Sequence, residues 1–482
     1  MAVRARLTAP RPVREDWPWH EIKAASLKAS LLFGGARRME AESFLGSGFG
    51  SRLAIEAKAS GWVRFETLGR TWQPGRLKGI QVGPEFGTPF LAATQVFDMR
   101  PVARKWLSLD RTGDHAERVL VPGTILVTCS GDVGRATLAH RTTVGLLVSH
   151  DLLRVEASEG WWGWLYAYVR SPTIRAMMKA AQYGHIIKHL ETQHIDDLPV
   201  VVPTDAVRKT CQDEAELVLR ARNEANSRMA EAEELFASRF HSPKNTAEQE
   251  SGFVRRASQT LFSDRRRFDA GCYNPQQAEI ELTLKQRAAS WETLGEIGCE
   301  IWLPNRFKRV PAEDGVELIN SSSIFEINPD TGRKVAPDGI EDRNKGFVKR
   351  DWLMMSRSGQ VYGLLGSVAL ATERHEHKVV SDDVIRISTA GKIDPGYLYV
   401  ALAHGSLGRP RVKSLAYGSS IPHIEPEDLK RFAVPRIDLD VEAQIGRLAR
   451  RAFELWSQAD QAEARLAEIA DATIADFLLA AG

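Results

Sequence analysis

The chain has 482 residues, and its 64 lysine and arginine residues nearly balance its 62 aspartate and glutamate residues, which gives a formal net charge of +2. This length suits two or three domains of ordinary size, and a hydrophobic fraction of 43% is typical of globular proteins. The near-neutral charge excludes a chain that is basic throughout, although it allows lysines and arginines to cluster on one surface.

The start of the chain and the cysteines indicate the compartment. The apolar stretch AASLKASLLFGG is interrupted by Lys28 and is shorter than the ~20 residues that a membrane span needs, and the first residues lack the pattern of a signal peptide. The cysteines lie far apart, without the spacing of a disulfide framework or a zinc site, and are Cys129, Cys211, Cys272 and Cys299. We therefore expect a cytoplasmic protein with reduced, buried thiols.

The chain contains a loose internal repeat, because the segment from Arg37 to about Phe240 occurs again from Arg266 to about Leu479. The first copy begins RRMEAESFL and the second begins RRFDAGCYNP. GTPFLAATQVFD matches GVELINSSSIFE, and SGDVG matches SGQVYG, both at a displacement of 228 positions. Other matched blocks drift only between about 226 and 234, as insertions in surface loops would produce. The pattern predicts one structural unit used twice.

Within each copy, short strands are separated by turn residues. The segments GTILVTCS and LLVSHDLLRVEA, and their counterparts DWLMMSRS and KVVSDDVIRIST, are rich in β-forming residues and bounded by glycine, proline or aspartate. One helix is predicted after them in each copy, at GWLYAYVRSPTIRAMMKAA and at GYLYVALAHGSLGRPRVKSL. Each copy then leaves through LPVVVP or FAVP into a long, polar helix with few glycines.

The second long helix has the heptad pattern of a coiled coil. Its apolar positions alternate in steps of four and three and are Val441, Ile445, Leu448, Ala452, Leu455, Ala459, Ala462, Leu466 and Ile469. The first long helix has a weaker pattern, because Glu214 and Arg228 occupy seam positions. Its other seam residues are Val207, Cys211, Val218, Ala225, Ala232 and Leu235. Small alanines in both seams favour packing of the two helices on each other, and a near two-fold relation between the copies would make the helices antiparallel. Packing of each helix on its own domain is the alternative.

Together these patterns predict an α/β (α+β) protein with two tandem domains related by a pseudo-two-fold axis, each followed by a long helix, with the helices paired as an antiparallel coiled coil. Helices of about 30 to 38 residues would be roughly 45 to 57 Å long. The predicted boundaries are 1–36 for an N-terminal extension, 37–203 for the first domain, 204–240 for its spacer helix, 241–264 for a linker, 265–436 for the second domain and 437–482 for its spacer helix.

This layout resembles the DNA-sequence specificity (S) subunit of Type I restriction-modification systems. The resemblance is carried by the opener RRFDAGCYNP, the SGDVG and SGQVYG turns, the VSHDLLRV and VSDDVIRI strands, the YG…H(L/I)E exits and the long helix after each domain. It covers the chain from Arg37 to the end, whereas residues 1–36 have no counterpart in the family pattern and are either a docking arm or part of the packing.

The resemblance implies a role in phage defence. Each target-recognition domain would read one half of a bipartite site in double-stranded DNA, and the helices would set the spacing between the halves. The subunit would not be an enzyme and would need no cofactor. It would bind two adenine methyltransferase (modification) subunits and, with them, restriction and translocase subunits.

Candidate DNA contacts are basic, aromatic or polar residues in segments that are expected to connect the elements. They are Arg76, Lys78, Arg104, Lys105, Arg135, Tyr183, His185, Lys188, Arg306, Lys308, Arg343, Lys345, Arg357, Tyr362, Tyr417 and Ser419. Tyr183 and Tyr417 are alternatively explained by core packing, because they occur at matching positions. Two domains that read different half-sites must differ where they touch bases, so residues without a match, such as Lys105, are the better candidates for base contact.

The competing hypothesis is a DNA-processing enzyme, a nuclease or a methyltransferase with unrecognised catalytic residues. Ser149, His150 and Asp151 have the residue types of a hydrolase triad, but neighbours on a strand point to opposite faces and are not expected to relay a proton. Asn274 begins a segment that resembles the NPPY loop of adenine methyltransferases, but Gln276 stands where the second proline is needed.

Metal chemistry has equally weak signals. The IEAK segment at residues 55–58 resembles half of a nuclease metal site, with Asp16 upstream, but the second copy lacks it. His185 and His189 have the spacing to share a helix face, and a surface or phosphate-facing role is favoured over zinc. A duplicated scaffold that binds only protein is a third hypothesis, and it predicts no sequence-selective DNA binding.

Overall fold

The computed structural model describes residues 27–33, 40–76, 79–108, 115–184, 188–240, 252–261, 266–329, 332–340 and 342–480. Most of the predicted N-terminal extension and linker lie outside the described residues, as do Lys78, His185 and Asp16. Within the described part of the chain, no helix is both long and apolar enough to cross a membrane.

The first half of the chain alternates helices and short strands. Its helices are α1 Ala29–Phe33, α2 Glu42–Leu45, α3 Ser47–Glu56, α4 His115–Arg118, α5 Trp162–Arg170, α6 Pro172–Ala181, α7 Thr192–Asp196 and α8 Asp205–Phe240. Its strands are β1 Trp62–Arg64, β2 Gly69–Trp72, β3 Gln81–Val82, β4 Thr88–Leu91, β5 Lys105–Leu107, β6 Ile125–Thr128, β7 Ala136–Leu138, β8 Leu147–Val148, β9 Leu152–Ala157 and β10 Pro199–Val201.

The second half repeats this alternation. Its helices are α9 Ala257–Leu261, α10 Pro275–Arg287, α11 Leu294–Ile297, α12 Arg343–Gly346, α13 Pro395–Ala403, α14 Arg409–Ser414, α15 Pro426–Lys430 and α16 Leu439–Leu479. Its strands are β11 Ser290–Thr293, β12 Glu300–Trp302, β13 Pro311–Ile319, β14 Lys334–Val335, β15 Leu353–Ser356, β16 Val368–Leu370, β17 Val379–Val380, β18 Val384–Ser388 and β19 Ala433–Arg436.

Both domains contain matching sheets. Domain 1 comprises the elements from α2 to β10, and its strand orders are β1-β10, β2-β9-β6-β7 and β3-β5-β4-β8. Domain 2 comprises the elements from α10 to β19, with the orders β11-β19, β12-β18-β15-β16 and β14-β13-β17. Among the strand pairs of the described residues, only β4 with β8 and its counterpart β13 with β17 are parallel. The predicted fold class of two tandem, repeated domains is confirmed.

The two domains also share their strand register. The pairing of β4 with β5 places Thr88 opposite Leu107, and the pairing of β13 with β14 places Val316 opposite Val335. Val316 follows Thr88 by 228 positions and Val335 follows Leu107 by 228 positions, which is the displacement between the matched sequence motifs. Because a slip of one residue would turn every side chain to the other face, equivalent residues of β5 and β14 point in equivalent directions.

The prediction of one helix after the sheet of each copy is wrong, because the structure has two shorter helices there. In domain 1, α5 ends at Arg170 and α6 begins at Pro172, with Ser171 Oγ accepting a hydrogen bond from Thr173 N at 3.2 Å. In domain 2, α13 ends at Ala403 and α14 begins at Arg409. A proline at the first helical position has no N–H to donate to a preceding turn, so it begins a helix instead of continuing one.

The two long helices lie antiparallel. They have 36 and 41 residues, which corresponds to about 54 and 62 Å at ~1.5 Å per residue. Glu214 near the start of α8 pairs with Arg465 near the end of α16 at 2.8 Å. Further along α8, Arg228 lines the same cleft as Arg447, closer to the start of α16. The antiparallel pairing predicted from the heptads is therefore confirmed.

The seam is broader than the heptads predict. On α16 a second buried stripe, which includes Phe453 and Trp456, packs against the domains through α13 and α5. On α8 the predicted seam residue Arg228 is exposed, and the neighbouring Met229 is buried in its place. Both alternatives drawn from the sequence therefore hold together, because each helix packs on its partner and on the domains at once.

Each domain docks on the start of its own long helix through a glycine. A Cβ atom on Gly163 of α5 would collide with the backbone of Gln212 on α8. A Cβ atom on Gly396 of α13 would collide with the backbone of Gly446 on α16. Gly163 and Gly396 are equivalent positions of the repeat, so the same close helix crossing occurs twice.

The domains also contact each other directly, through equivalent residues. Asp98 and Glu326 form an antiparallel bridge, in which Met99 N donates to Phe325 O at 2.8 Å and Ile327 N donates to Phe97 O at 2.7 Å. The paired residues are displaced by 228, so each domain presents the same segment to the other. A contact of this kind is isologous and requires a pseudo-two-fold axis through it.

A buried charged network joins this contact to the helix pair. Arg222 of α8 pairs with Glu463 of α16 at 2.7 Å, and both side chains are almost fully buried. Asp460 of α16 accepts a hydrogen bond from Asn328 N at 2.9 Å and pairs with Arg374 of domain 2. Tyr166 and Arg170 of domain 1 contact Glu463 from the other side. Burial opposes ionisation of Glu463, but Arg170 and Arg222 hold its pKa below its usual value.

The helix crossing at Gly163 gives a prediction for stability. Gly163→Ala should destabilise the protein by about 1–3 kcal/mol, because the added methyl group overpacks a crossing that cannot open without shifting the backbone. Thermal unfolding followed by circular dichroism measures the change. Gly50→Ala is the matched control, since Gly50 lies in α3 with no atom within 4 Å of its would-be Cβ, and it should leave the Tm unchanged or raise it slightly. Equal effects of the two substitutions would contradict the close crossing.

The Asp98 bridge gives a prediction for pH. Burial raises the pKa of Asp98 to about 7, against the opposing effect of Arg104 and with a smaller contribution from Glu326 in the same direction. Because the folded-state pKa lies above the usual 3.8, the stabilisation is full below about pH 4 and is lost as the pH rises through 7.

Between pH 5.5 and pH 8 the wild-type protein should therefore lose about 2 kcal/mol relative to Asp98→Asn, which does not titrate. Thermal unfolding of both proteins across this range measures the difference. Asp314→Asn, at an exposed carboxylate, serves as the control and should follow the wild-type curve. Parallel curves for Asp98→Asn and the wild type would exclude a role for this carboxyl group.

Candidate nucleic-acid interface

Each domain has a cation at the same register, on β5 in domain 1 and directly before β14 in domain 2. In domain 1, Phe90 lies opposite Lys105. In domain 2, Leu318 lies opposite Arg333, and Leu318 N donates a hydrogen bond to Arg333 O at 2.9 Å. Lys105 and Arg333 are displaced by 228, and both are exposed. A rotation about an axis keeps the height of each point along that axis, so the two cations lie at the same level on the two domains.

The sequence patterns do not predict Arg333, and they leave Lys105 as a residue without a match in the second copy. The structure shows that Arg333 is the match of Lys105. The signal that identifies Arg333 is the displacement of 228 applied to Lys105, because no motif surrounds either residue. Lys334, the next residue, is also exposed. The matched pair is therefore suited to a contact that both half-sites have in common, which is the phosphate backbone.

The predicted residues divide by exposure. Those that are exposed to solvent are Arg76, Arg104, Lys105, Arg306, Lys308, Arg343, Lys345, Tyr362 and Ser419. Two of them have a distant carboxylate neighbour, Asp338 at 3.8 Å from Arg343 and Asp342 at 3.8 Å from Lys345. Exposed ion pairs of this length contribute little, so these cations are available to an anionic partner.

Three predicted basic residues are already used within the protein. Arg135 lies at the contact between the domains, where its guanidinium stacks over the Phe97 ring at 4.0 Å and pairs with Glu326 at 2.6 Å. Lys188 pairs with Glu42 at 2.5 Å, and Arg357 pairs with Glu425 at 2.5 Å and with Asp383 at 3.4 Å. These contacts position loops and domains, so the free cations lie elsewhere.

Tyr183 and Tyr417, two of the three predicted tyrosines, are part of a small hairpin that occurs in both domains. Tyr183 forms a β-bridge with His189, and Tyr417 forms the equivalent bridge with His423. The ring centroids are 5.8 Å apart in domain 1 and 4.4 Å apart in domain 2. Tyr183 Oη also donates to Glu191 at 2.6 Å. The arrangement closes the hairpin whose turn contains Ser419 in domain 2.

A buried arginine supports the loop before the central strand of each domain. Arg154 donates to the carbonyl oxygens of Ser149 and Val148 at 3.0 and 3.1 Å, and Arg386 donates to those of Ser381 and Val380 at 2.8 and 2.6 Å. Burial lowers the pKa of the two guanidinium groups to about 10 and about 9. The loops between β8 and β9, and between β17 and β18, are therefore held from below by charge-assisted hydrogen bonds.

The domains differ beside this arginine. In domain 2, a cleft of about 150 Å³ is lined by Arg306, Lys345, Gly346 and Trp302, next to Arg386. The residue of domain 1 that corresponds to Gly346 is Arg118, which is buried and donates to Gly75 O. The same position therefore carries a buried cation in one domain and an open, cation-lined cleft in the other.

The separation of the domains along the helix pair is set by their docking points. Gly163 docks at Gln212 of α8, two residues from Glu214, and Glu214 pairs with Arg465 of α16. Gly396 docks at Gly446, which lies 19 residues before Arg465. At ~1.5 Å per residue, the two docking points are about 30 Å apart along the helix axis.

The residue sets that were considered for catalysis do not assemble. Ser149 Oγ donates to Asp151 Oδ2 at 2.9 Å, and His150 Nε2 lies 3.6 Å from the other oxygen of Asp151. The carboxylate thus stands between serine and histidine, where a triad needs the imidazole. Asn274 is the N-cap of α10, with its side chain accepting from Gln276 N at 3.0 Å.

Metal-binding and thiol chemistry have no assembled site in the described residues. No group of three or more histidine, cysteine, aspartate or glutamate side chains there is arranged to hold a metal ion. Lys58 of the IEAK segment donates to Ala480 O at the end of α16, and His189 Nδ1 lies 3.2 Å from Ser130 Oγ. Three of the four free cysteines are buried as predicted, whereas Cys272 is half-buried.

Comparisons with known proteins were made by sequence and by structure. No protein-family profile and no curated protein matches the chain. Its structure is similar to the crystal structure of the S subunit of a Type I restriction-modification system from M. genitalium, with 14% identity and a TM-score of 0.36, over 88% of this chain and 98% of that chain. It is also similar to the HsdS subunit from Thermoanaerobacter tengcongensis, with 14% identity and a TM-score of 0.25, over 87% of this chain and 96% of that one. The structural neighbours of this chain are thus S subunits of Type I restriction-modification systems, at low identity and low TM-score.

Proposed function

We propose that this chain is the DNA-recognition subunit of a Type I restriction-modification complex, in which each domain reads one half of a bipartite site and the helix pair sets the spacing. The observation that carries the proposal is the pair of exposed cations, Lys105 and Arg333, at the same strand register of two domains related by a pseudo-two-fold axis. Equivalent cations at equal height suit a duplex laid across both domains, because its phosphates recur on both sides of the axis.

The docking geometry supports this arrangement. The docking points of the domains lie about 30 Å apart along the helices, close to one turn of B-DNA at ~34 Å. Domains separated by about one turn meet the same face of the duplex. A bipartite site with the two halves on one face of the DNA follows from this separation.

The division of contacts follows from the repeat. Lys105 and Arg333 are matched and would hold phosphates, which carry no sequence information. The unmatched cleft of domain 2, lined by Arg306 and Lys345, and the exposed Arg343 beside it are candidates for base contact in the groove. Domain 1 has Arg118 buried at the corresponding position, so its base contacts must differ.

The two-fold arrangement also supports the proposed partners. An axis that relates the two halves of one chain gives two equivalent outer surfaces, and these fit two copies of one partner, here the adenine methyltransferase subunits. Restriction and translocase subunits would join through them, in the cytoplasm. The chain itself would be non-catalytic, in keeping with the unassembled Ser149, His150 and Asp151 set.

The test of the proposal is a pair of charge removals with a matched control. Lys105→Ala and Arg333→Ala should each weaken DNA binding several-fold and lower the slope of log affinity against log salt by about 1, because each removes one phosphate contact. Arg447→Ala, at an exposed cation of α16 in the cleft that it shares with Arg228, is the control and should leave the slope unchanged. Fluorescence anisotropy with duplex DNA at several salt concentrations measures all three.

Two outcomes would contradict the proposal. Equal slopes for Lys105→Ala, Arg333→Ala and Arg447→Ala would show that the matched cations do not face DNA. Cleavage or methylation of DNA by the purified chain alone would favour the DNA-processing enzyme instead.

The direct contact between the domains gives a second prediction, on spacing. The Asp98 bridge and the helix crossings at Gly163 and Gly396 fix the position of one domain relative to the other. A selected bipartite site should therefore tolerate little change in the number of base pairs between its halves. Lengthening the spacer by five base pairs rotates one half by about half a turn and should reduce affinity to that of a single half-site. Binding to a series of duplexes with spacers changed by one to ten base pairs measures this, with each isolated half-site as the control. Affinity independent of spacer length would mean that the two domains do not bind one duplex together.

A further inference from the structure

One loop of domain 2 differs in length and charge from the loop at the equivalent position of domain 1. The turn that begins at Ser130 in domain 1 begins at Ser358 in domain 2 and is four residues longer before β16 than its counterpart before β7. Its extra residues place Tyr362 in solvent at 80% exposure, and Val361 beside it is also exposed. Ile421, on the adjoining hairpin, is exposed as well.

This apolar tip, defined as Val361, Tyr362 and Ile421, is held in place from below. Gly359 N donates to Pro422 O at 3.1 Å, which ties the loop to the hairpin that carries Ile421. Arg409 of α14 donates to Gly363 O at 3.1 Å, and Lys413 of the same helix donates to Val361 O. The exposed side chains therefore extend from a braced loop.

The two cations beneath the tip of domain 2 have no carboxylate within ion-pair distance among the described residues, unlike their counterparts in domain 1. In domain 1 the residues equivalent to Arg409 and Lys413 are Arg175 and Lys179, and both pair with Asp132 at 2.9 and 3.3 Å. Domain 2 has Gln360 where domain 1 has Asp132. Among the described residues, no carboxylate forms an ion pair with Arg409 or Lys413.

A third cation from the other domain adds to these two. Arg104 of domain 1 is exposed, and burial together with Arg409 and Arg104 lowers the pKa of Lys413 to about 8. Both arginines also act on Asp98, which places these two cations near the contact between the domains, and Lys413 lies one helical turn from Arg409 on α14. Repulsion among them would be relieved by an anion, and the backbone of a duplex supplies a row of closely spaced phosphates.

We infer that the apolar tip inserts into a groove of the DNA between the two half-sites and partly unstacks one base step, while Arg104, Arg409 and Lys413 hold the flanking phosphates. This rests on the proposed function and names a contact that domain 1 lacks. Apolar side chains that enter a groove beside basic residues unstack base steps in this way, and stacking of an aromatic ring on a base adds to the affinity.

The experiment places the fluorescent base 2-aminopurine at each position of the spacer in turn and measures its emission on binding of the full chain. Wild-type protein should raise the emission at one step, and Tyr362→Ala should abolish the rise and weaken binding about ten-fold, whereas Tyr362→Phe should keep both. Leu479→Ala, at an exposed apolar residue at the end of α16, is the matched control and should behave as wild type.

A second variant tests the charges without changing the three side chains of the tip, although it also removes the hydrogen bond that Gln360 Nε2 donates to Ser420 O at 3.3 Å. Gln360→Asp restores the carboxylate that domain 1 has at Asp132 and should lower the salt slope of binding by about 1, since the added carboxylate competes with phosphate for Arg409 and Lys413. Because Gln360 is exposed, the substitution should leave the Tm unchanged.

The outcomes distinguish failure of the proposed function from failure of the inserted tip alone. Absence of DNA binding by the wild-type chain overturns the proposed function together with this inference. Tight binding by wild type, with emission and affinity unchanged in Tyr362→Ala, overturns the inserted tip alone and leaves the recognition role in place.

Discussion

The antiparallel packing of α8 against α16 is the constraint on which the rest of the structure depends. Each domain docks on the start of its own helix, so the direction and register of the helices decide where the domains lie. The buried pair of Arg222 and Glu463 ties that register, because a slip would leave a charge buried without its partner, at a cost of about 3–5 kcal/mol. The contact at Asp98 closes the arrangement from the domain side.

Comparison of the two copies of the repeat separates residues that stabilise both domains from residues that differ between them. Shared features are structural: Arg154 and Arg386 hold equivalent loops, and Gly163 and Gly396 make equivalent crossings. The differences lie at the surface that we assign to DNA, where domain 2 has an open cleft at Gly346 and a longer loop after Ser358. Under the proposed function, a duplicated scaffold with divergent loops would allow two different half-sites to be read, because packing constrains the core far more than the surface.

The sequence predicted the features that repeat over long distances and missed those that depend on tertiary contact. The ordered blocks and the heptads predicted the two domains and the antiparallel helices, since both patterns extend over many residues. The break at Ser171 was missed because the apolar period continues across it. Exposure could not be predicted either: Arg135 was proposed to face DNA, but it lies against Phe97 and Glu326 from a turn whose sequence carries no sign of the domain contact. Arg333 was missed because it lies outside every motif, although its displacement from Lys105 identifies it.

The difference between Asp132 and Gln360 has a consequence for orientation. A scaffold with two-fold symmetry looks the same after half a turn, so it cannot by itself distinguish the two directions of a duplex lying across its axis. The loop after Ser358, longer and without the carboxylate of its counterpart, removes that degeneracy close to the axis itself. Under the proposed function the chain would therefore have a polarity at its centre as well as at its ends, because a duplex turned end for end would meet the turn that carries Asp132 where it would otherwise meet the apolar tip.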